Sequence, residues 1–113
     1  MEWAKEVDSH IKKFLSTRQE GVAILNELLK DFRELGIQGK VENVTDSPLT
    51  WHVQLDVRDI GILKFDIQYA DIKKSSGEYN EVGSWVKKEP SSEEKVDLFR
   101  KAIVSQVRDK LKI

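Results

Sequence analysis

The stretch that decides the fold is WHVQLDVRDIGILKFDIQY, residues 51–69. Apolar and polar residues alternate through its first seven and its last seven positions. Because successive side chains of a β-strand point to opposite faces, this pattern predicts two strands, each with one buried face and one solvent face. Asp59 and Gly61, which lie between them, favour a tight reversal of the chain. We therefore predict an antiparallel hairpin.

Matching the apolar faces of the two strands predicts their register. A three-residue loop of Asp59, Ile60 and Gly61, with Gly61 in the left-handed position of a G1 bulge, places apolar residues opposite one another. A slip of one residue would instead put Leu55 opposite Lys64. The predicted pairs are Val57–Leu63, Leu55–Phe65, Val53–Ile67 and Trp51–Tyr69 on the apolar face, and Asp56–Lys64, Gln54–Asp66 and His52–Gln68 on the polar face.

Two further segments are predicted to extend the hairpin into an antiparallel meander of three or four strands. The strand before it runs from Gly39 to Thr45 and turns through residues 46–48. The strand after it covers residues 78–87. Between the hairpin and this fourth strand, the composition of residues 73–78 predicts a solvent-exposed loop.

Residues 2–35 form a helical region in which one apolar stripe keeps a single phase. Near its middle, Thr17 and Glu20 match a capping box, which signals the start of a new helix. Gly36 is the predicted C-cap. The stripe consists of nine positions, seven of them apolar: Val7, Ile11, Phe14, Arg18, Gly21, Leu25, Leu28, Phe32 and Leu35.

The length of this region leaves two alternatives. An unbroken helix would reach roughly 50 Å, whereas a strand of eight or nine residues covers roughly 28 Å. Either the helix breaks near residues 16–20 and folds over the sheet, or the overhanging part is buried by a second copy of the chain. The break is favoured, because a soluble monomer avoids exposing a long apolar stripe.

The last helix is predicted to start at Ser91, which forms a capping box with Glu94. Its apolar stripe consists of Val96, Phe99, Ile103, Val107 and Leu111. Residues 1–113 are thus predicted to form a single α+β domain. It has a long or broken N-terminal helix, an antiparallel sheet of three or four strands and a C-terminal helix, with the helices on one face of the sheet.

Composition restricts the classes of function. The chain has 113 residues, with 19 basic and 20 acidic side chains and a net charge of -1, so strong non-specific attraction to nucleic acid or to an anionic membrane is not expected. It has no cysteine, which excludes disulfides and thiolate metal sites and suits a reducing compartment. No segment approaches the ~20 apolar residues of a membrane span, and the first residues are acidic where a signal peptide is basic. We predict a cytoplasmic protein without membrane contact.

No motif for catalysis, metal binding or cofactor binding is present. The two histidines are His10, which lies off the apolar stripe, and His52, on the polar face of a strand. Neither has a partner at metal-ligand spacing, and the glycines form no phosphate-binding motif. No catalytic residue, metal or cofactor is therefore predicted. An enzyme would need a concave pocket that gathers His52 with carboxylates.

The leading hypothesis is a non-enzymatic module that binds a protein partner or itself. Its candidate interface lies on the overlong N-terminal stripe and on exposed tryptophans, which are favoured at interfaces. Trp51 is assigned to the core, whereas Trp85 could point either into the core or away from it. The candidate interface residues are Trp3, Val7, Ile11, Phe14 and Trp85.

The alternative hypothesis is association with nucleic acid through a basic C-terminal helix and a nearby lysine pair. The candidate residues are Lys73, Lys74, Arg100, Lys101 and Arg108. The near-neutral chain and the lack of aromatic residues among these cations make nucleic acid the less favoured partner.

Overall fold

The computed structural model describes residues 1–74, 78–79, 81–86 and 91–112, and at positions 74, 78, 79, 85 and 86 the backbone alone. Strands β1, β2 and β3 form one antiparallel sheet in that order, while β4 and β5 pair in a separate ladder. The predicted α+β class is confirmed. The elements are α1 (Glu2–Lys30), a 3-10 turn (Asp31–Leu35), β1 (Gln38–Asp46), β2 (Leu49–Val57), β3 (Gly61–Gln68), α2 (Tyr69–Lys74), β4 (Glu78–Tyr79), β5 (Trp85–Val86) and α3 (Ser92–Leu111).

The hydrophobic core lies between one face of the three-stranded sheet and the helices, as predicted. Trp51 is fully buried at its centre. Its ring meets Phe99 of α3 and Tyr69 of α2 edge to face, with ring centroids 5.1 Å and 6.3 Å apart. The buried apolar residues are Leu25, Leu28, Leu29, Leu49, Trp51, Val53, Leu55, Phe65, Ile67, Ile72, Phe99 and Ile103.

Helix α1 is continuous, so the favoured break near residues 16–20 is wrong. The Thr17 hydroxyl donates to the carbonyl oxygen of Lys13 at 2.9 Å, four residues back in the same helix, instead of capping a new one. The carboxylate of Glu20, the other half of the supposed capping box, lies 2.9 Å from the ammonium of Lys95 on α3. The two polar residues that signalled a break thus have other partners, Thr17 within α1 and Glu20 on α3.

Gly21 lies in the stripe because the backbone of α1 meets the Trp51 ring at this point. A Cβ at Gly21 would overlap Cζ2 and Cε2 of the indole. One turn earlier, the carbonyl oxygen of Arg18 accepts a hydrogen bond from Nε1 of Trp51 at 3.2 Å. The small residue permits a close approach that satisfies the only polar atom of the Trp51 side chain.

The hairpin of β2 and β3 has the predicted faces, but the predicted register is wrong by two residues. The amide of Ile60 donates to the carbonyl oxygen of Val57 at 3.1 Å, so the chain turns earlier than expected. Gly61 has the predicted left-handed conformation, with φ 95°, but it is already paired with Val57. Alternation has a period of two, so a two-residue shift preserves both faces. The observed pairs are Thr50–Gln68, Trp51–Ile67, His52–Asp66, Val53–Phe65, Gln54–Lys64, Leu55–Leu63, Asp56–Ile62 and Val57–Gly61.

Strand β1 contains the predicted segment and carries a bulge that was not predicted. The register shifts between Val41 and Asn43, which leaves Glu42 as the additional residue. Val41 and Val44 are both half-buried despite the odd spacing between them. The bulge thus keeps both valines on the core face and places Glu42 on the solvent face beside β2.

The predicted fourth strand does not join the sheet, which has three strands in the part of the chain that the structure describes. After β3 the chain forms α2, and Ile72 of α2 is buried against the core. Residues 78–79 and 85–86 pair only with each other, and residues 80 and 87 lie outside the described residues. Of the predicted 73–78 loop, Lys73 and Lys74 belong to α2, and residues 75–77 lie outside the described part.

Both predicted helix caps are confirmed. Gly36 follows the 3-10 turn with φ 76°. Ser91 precedes α3, and its hydroxyl accepts from the amide of Glu94 at 3.3 Å. On the predicted α3 stripe, Phe99 and Ile103 are buried, whereas Leu111 at the far end is exposed.

Substituting Gly21→Ala should destabilise the protein although alanine favours helices. The gain in helix propensity is about 1 kcal/mol, and overpacking the Trp51 ring costs about 1–3 kcal/mol, so a net loss is expected. Urea denaturation would measure the free energy of unfolding. Ser16→Ala, at an exposed position of the same helix, is the control and should be neutral or slightly stabilising. A Gly21→Ala protein more stable than the wild type would contradict the close contact.

The register of the hairpin predicts which engineered cysteines can be joined. The chain has no cysteine of its own. His52→Cys with Asp66→Cys should form a disulfide, because these positions are directly opposed. His52→Cys with Gln68→Cys, the pair expected from the sequence, should stay reduced. Non-reducing mass spectrometry after mild oxidation distinguishes them, and the opposite result would overturn the observed register.

Candidate functional site

The first half of α1 projects beyond the sheet. In α1 the first buried residue is Gly21, next to the point where Arg18 meets β2. Residues 2–17 precede this point and span roughly 24 Å at 1.5 Å per residue, with Phe14 packed against the edge of the core. The radius of gyration is 16.5 Å, compared with about 13 Å for a compact chain of this length. We call residues 2–17 the projecting helix.

Four large apolar side chains are exposed on the projecting helix. The exposed fractions are 67% for Trp3, 48% for Val7, 51% for Ile11 and 49% for Leu15. Three of these side chains, Trp3, Val7 and Ile11, belong to the interface predicted from the sequence. Phe14, which was also predicted, is half-buried against the edge of the core. Trp85 belongs to β5, but the orientation of its side chain lies outside the described part of the structure.

Leu15 was not among the interface residues predicted from the sequence. The predicted stripe alternates steps of four and three residues, so it contains Phe14 and not the adjacent leucine. Leu15 follows Ile11 by four residues and continues the row of exposed apolar side chains. The two neighbours therefore differ in their surroundings: Phe14 packs on the core, and Leu15 is open to solvent.

Charge is distributed unevenly along the projecting helix. Residues 2–8 contain three acids and one base, a net charge of −2, from Glu2, Lys5, Glu6 and Asp8. Residues 9–18 contain three bases and no acid, a net charge of +3, from Lys12, Lys13 and Arg18. Lys12 and Asp8 form an ion pair of 3.0 Å within the helix. The helix is therefore acidic at its free end and basic where it joins the domain.

A second cluster lies on the solvent face of the sheet, where His52 bridges the three strands. Its Nδ1 lies 2.6 Å from Oδ1 of Asp66 on β3, and its Nε2 lies 2.9 Å from Oγ1 of Thr45 on β1. A carboxylate can only accept, so Nδ1 donates to Asp66, and Nε2 forms the second hydrogen bond with the Thr45 hydroxyl. This arrangement was not predicted from the sequence, because the predicted register placed Gln68 opposite His52.

The His52 cluster borders a depression of about 310 Å³, which Glu42, Asn43 and Lys64 also line. The Lys64 ammonium reaches the bulged Glu42 at 3.5 Å. The depression thus gathers His52 with two carboxylates, the condition that an enzyme would require. The side chains of His52 and Asp66 are 31% and 59% exposed, so water competes for their hydrogen bond. The geometry supports a cross-strand polar network on the solvent face.

The residues proposed for nucleic-acid binding occupy two helices. Arg100, Lys101 and Arg108 are exposed on α3. Asp97 lies 3.5 Å from the Arg100 guanidinium and 3.0 Å from the Lys101 ammonium, which offsets part of their charge. Lys73 and Lys74 end α2, and the Lys74 side chain lies outside the described residues. The basic surface of α3 is thus interrupted by an acid.

Comparison with known proteins finds no family model, no curated protein and no solved structure that matches the chain. Within the described residues, no helix is long and apolar enough to cross a membrane. In the same part of the chain, no group of three or more histidines and carboxylates is placed to hold a metal ion.

The exposure of the His52 cluster predicts weak energetic coupling between its members. In a double-mutant cycle of His52→Ala and Asp66→Ala, the coupling free energy should be below about 1 kcal/mol, as for other polar side-chain pairs that are open to solvent. Denaturant unfolding of the wild type, both single variants and the double variant at neutral pH supplies the four values. The Lys64–Glu42 pair, at a longer distance on the same face, is the matched comparison and should couple no more strongly. A coupling above about 2 kcal/mol would contradict the surface assignment.

Proposed function

We propose that this protein is a non-enzymatic interaction module that binds a second copy of itself through the projecting helix. The proposal rests on one observation: the apolar stripe of α1 is buried along one part of the helix and exposed along the other. From Gly21 onward the stripe is buried against the sheet, and from Trp3 to Leu15 it is open to solvent. A row of large apolar side chains on an isolated helix marks a surface that a partner covers.

The molecule as a whole exposes more surface than a compact monomer of its mass. The protein exposes 8439 Å², whereas a compact monomer of 13.1 kDa is expected to expose about 6,400 Å². The surplus of about 2,000 Å² exceeds the roughly 800 Å² that each partner contributes to a standard interface. Covering the projecting helix with a partner would thus bring the molecule closer to the surface area usual for its mass.

The charge pattern of the projecting helix favours a second copy as the partner. The helix carries both signs, with the acidic and basic parts at opposite ends of the apolar row. Such a surface is complementary to itself when two copies are related by a two-fold axis perpendicular to the helix; two-fold symmetry is the commonest symmetry of soluble oligomers. A partner of one charge sign would instead meet repulsion at one end of the helix.

The proposed setting is the cytoplasm, where a cysteine-free chain needs no disulfide for stability. The interaction surface consists of apolar side chains, which burial against a second copy would stabilise. Full burial of an exposed Val or Ile contributes about 1.5–3 kcal/mol. Val7 and Ile11 are about half exposed, so each contributes part of this in each of two copies.

The oligomeric state tests the proposal directly. At micromolar concentration, light scattering on the full chain should give twice the 13.1 kDa mass of one copy. The variant Val7→Gln with Ile11→Gln should be monomeric, because glutamine keeps the helix but removes the apolar contact. Loss of four buried apolar side chains from a symmetric pair should weaken binding at least about a hundredfold.

The matched control is Ser9→Gln with Ser16→Gln. Both serines are exposed on α1, and their spacing places them on the side of the helix opposite the apolar row. This variant should remain dimeric, and circular dichroism should show the same helix content in all three proteins. A wild-type chain that stays monomeric throughout the micromolar range would refute self-association.

A further inference from the structure

We infer that the two copies pair with their projecting helices antiparallel, centred near residue 9, so that each helix tip lies beside the core of the other copy. The inference rests on the proposed self-association and specifies its geometry. Three features of the molecule lead to it: the position of the sheet, the spacing of the apolar row and the order of the charges.

The sheet excludes the parallel arrangement. Helix α1 is continuous and its stripe keeps one phase, so the exposed row from Trp3 to Leu15 and the buried row from Gly21 to Leu29 lie on the same side. The sheet occupies that side from Gly21 onward. Two helices in contact lie about 8–10 Å apart. If the helices ran parallel, the sheets of the two copies would lie at the same height along the helix axis and would both have to fit into this gap. In an antiparallel pair, the two sheets lie at opposite ends of the helix pair.

The apolar row is symmetric about residue 9. Trp3 and Leu15 are equally distant from this position, and so are Val7 and Ile11. In an antiparallel pair, Trp3 of one copy therefore faces Leu15 of the other, and Val7 faces Ile11. Each contact occurs twice, and the free tip of each helix reaches the point where its partner's helix enters the core.

The charges beside the row match the same register. At 100° per residue, Asp8 and Lys12 lie on the same flank of the row. In antiparallel helices, equal flanks face each other, so Asp8 of one copy lies beside Lys12 of the other. Parallel helices would instead align the acidic ends with each other and the basic ends with each other.

Engineered cysteines test the orientation in the full chain. Ala4 and Leu15 lie at nearly equal distances on either side of the centre and within the apolar row. A mixture of the Ala4→Cys and Leu15→Cys proteins should give the mixed disulfide on mild oxidation. Ala4→Cys alone should not cross-link, because its two Cα atoms would lie roughly 16 Å apart along the axis, and a disulfide requires less than about 7 Å. Intact mass identifies each product.

A charge exchange provides a second test that leaves the apolar row intact. Asp8→Lys alone should weaken self-association about five- to tenfold, because two symmetric ion pairs become two repulsive ones. Adding Lys12→Glu exchanges the charges within one chain and should restore the wild-type affinity, measured by analytical ultracentrifugation. Adding Lys13→Glu instead, on the face away from the apolar row, is the matched control of equal net charge and should restore nothing.

The possible results separate the orientation from the self-association itself. A wild-type protein that is monomeric refutes the proposed function and the inference with it. A dimer in which Ala4→Cys cross-links efficiently to itself refutes the antiparallel orientation alone. A dimer that gives neither disulfide and ignores the charge exchange uses another surface, which also overturns the inference.

Discussion

The contact on which the structure depends is the insertion of the Trp51 indole against the backbone of α1. Gly21 offers the ring a surface without a side chain, and the carbonyl oxygen of Arg18 accepts the hydrogen bond from its Nε1. Phe99 and Tyr69 enclose the same ring from α3 and α2. One side chain of the central strand thus fixes the positions of all three helices, because each of them meets a different part of the ring.

This contact also determines where α1 leaves the domain. Trp51 lies near the start of β2, at one end of the sheet, so the helix that crosses it at residues 18–21 has no sheet left to cover in the other direction. The hydrogen bonds of an α-helix are satisfied within the helix itself, so α1 can continue without support. The apolar row that it carries outward is the physical basis for proposing a second copy as partner.

Much of the fold was predictable from the sequence because local patterns carry it. The alternation in residues 51–69 predicted the two faces of the hairpin, and the caps at Gly36 and Ser91 were identified from residue type alone. The register was not predictable, since a period of two is equally satisfied by shifts of two residues. The pairing of His52 with Asp66, and with it the network on the solvent face, followed from the register and was missed for the same reason.

The sequence by itself determined the class of fold, the faces of the strands and the exposed apolar residues Trp3, Val7 and Ile11. Only the tertiary structure decided that α1 is unbroken, that β1 bulges at Glu42 and that the chain after β3 turns into a helix. Two of these features coincide with contacts between residues distant in the sequence, since Glu20 pairs with Lys95 and the Tyr69 ring packs against Trp51. In the third, the bulge keeps Val41 and Val44 on the core face. Local propensities amount to fractions of a kcal/mol per residue, whereas burying one large side chain is worth several times as much, so packing decides wherever the two conflict.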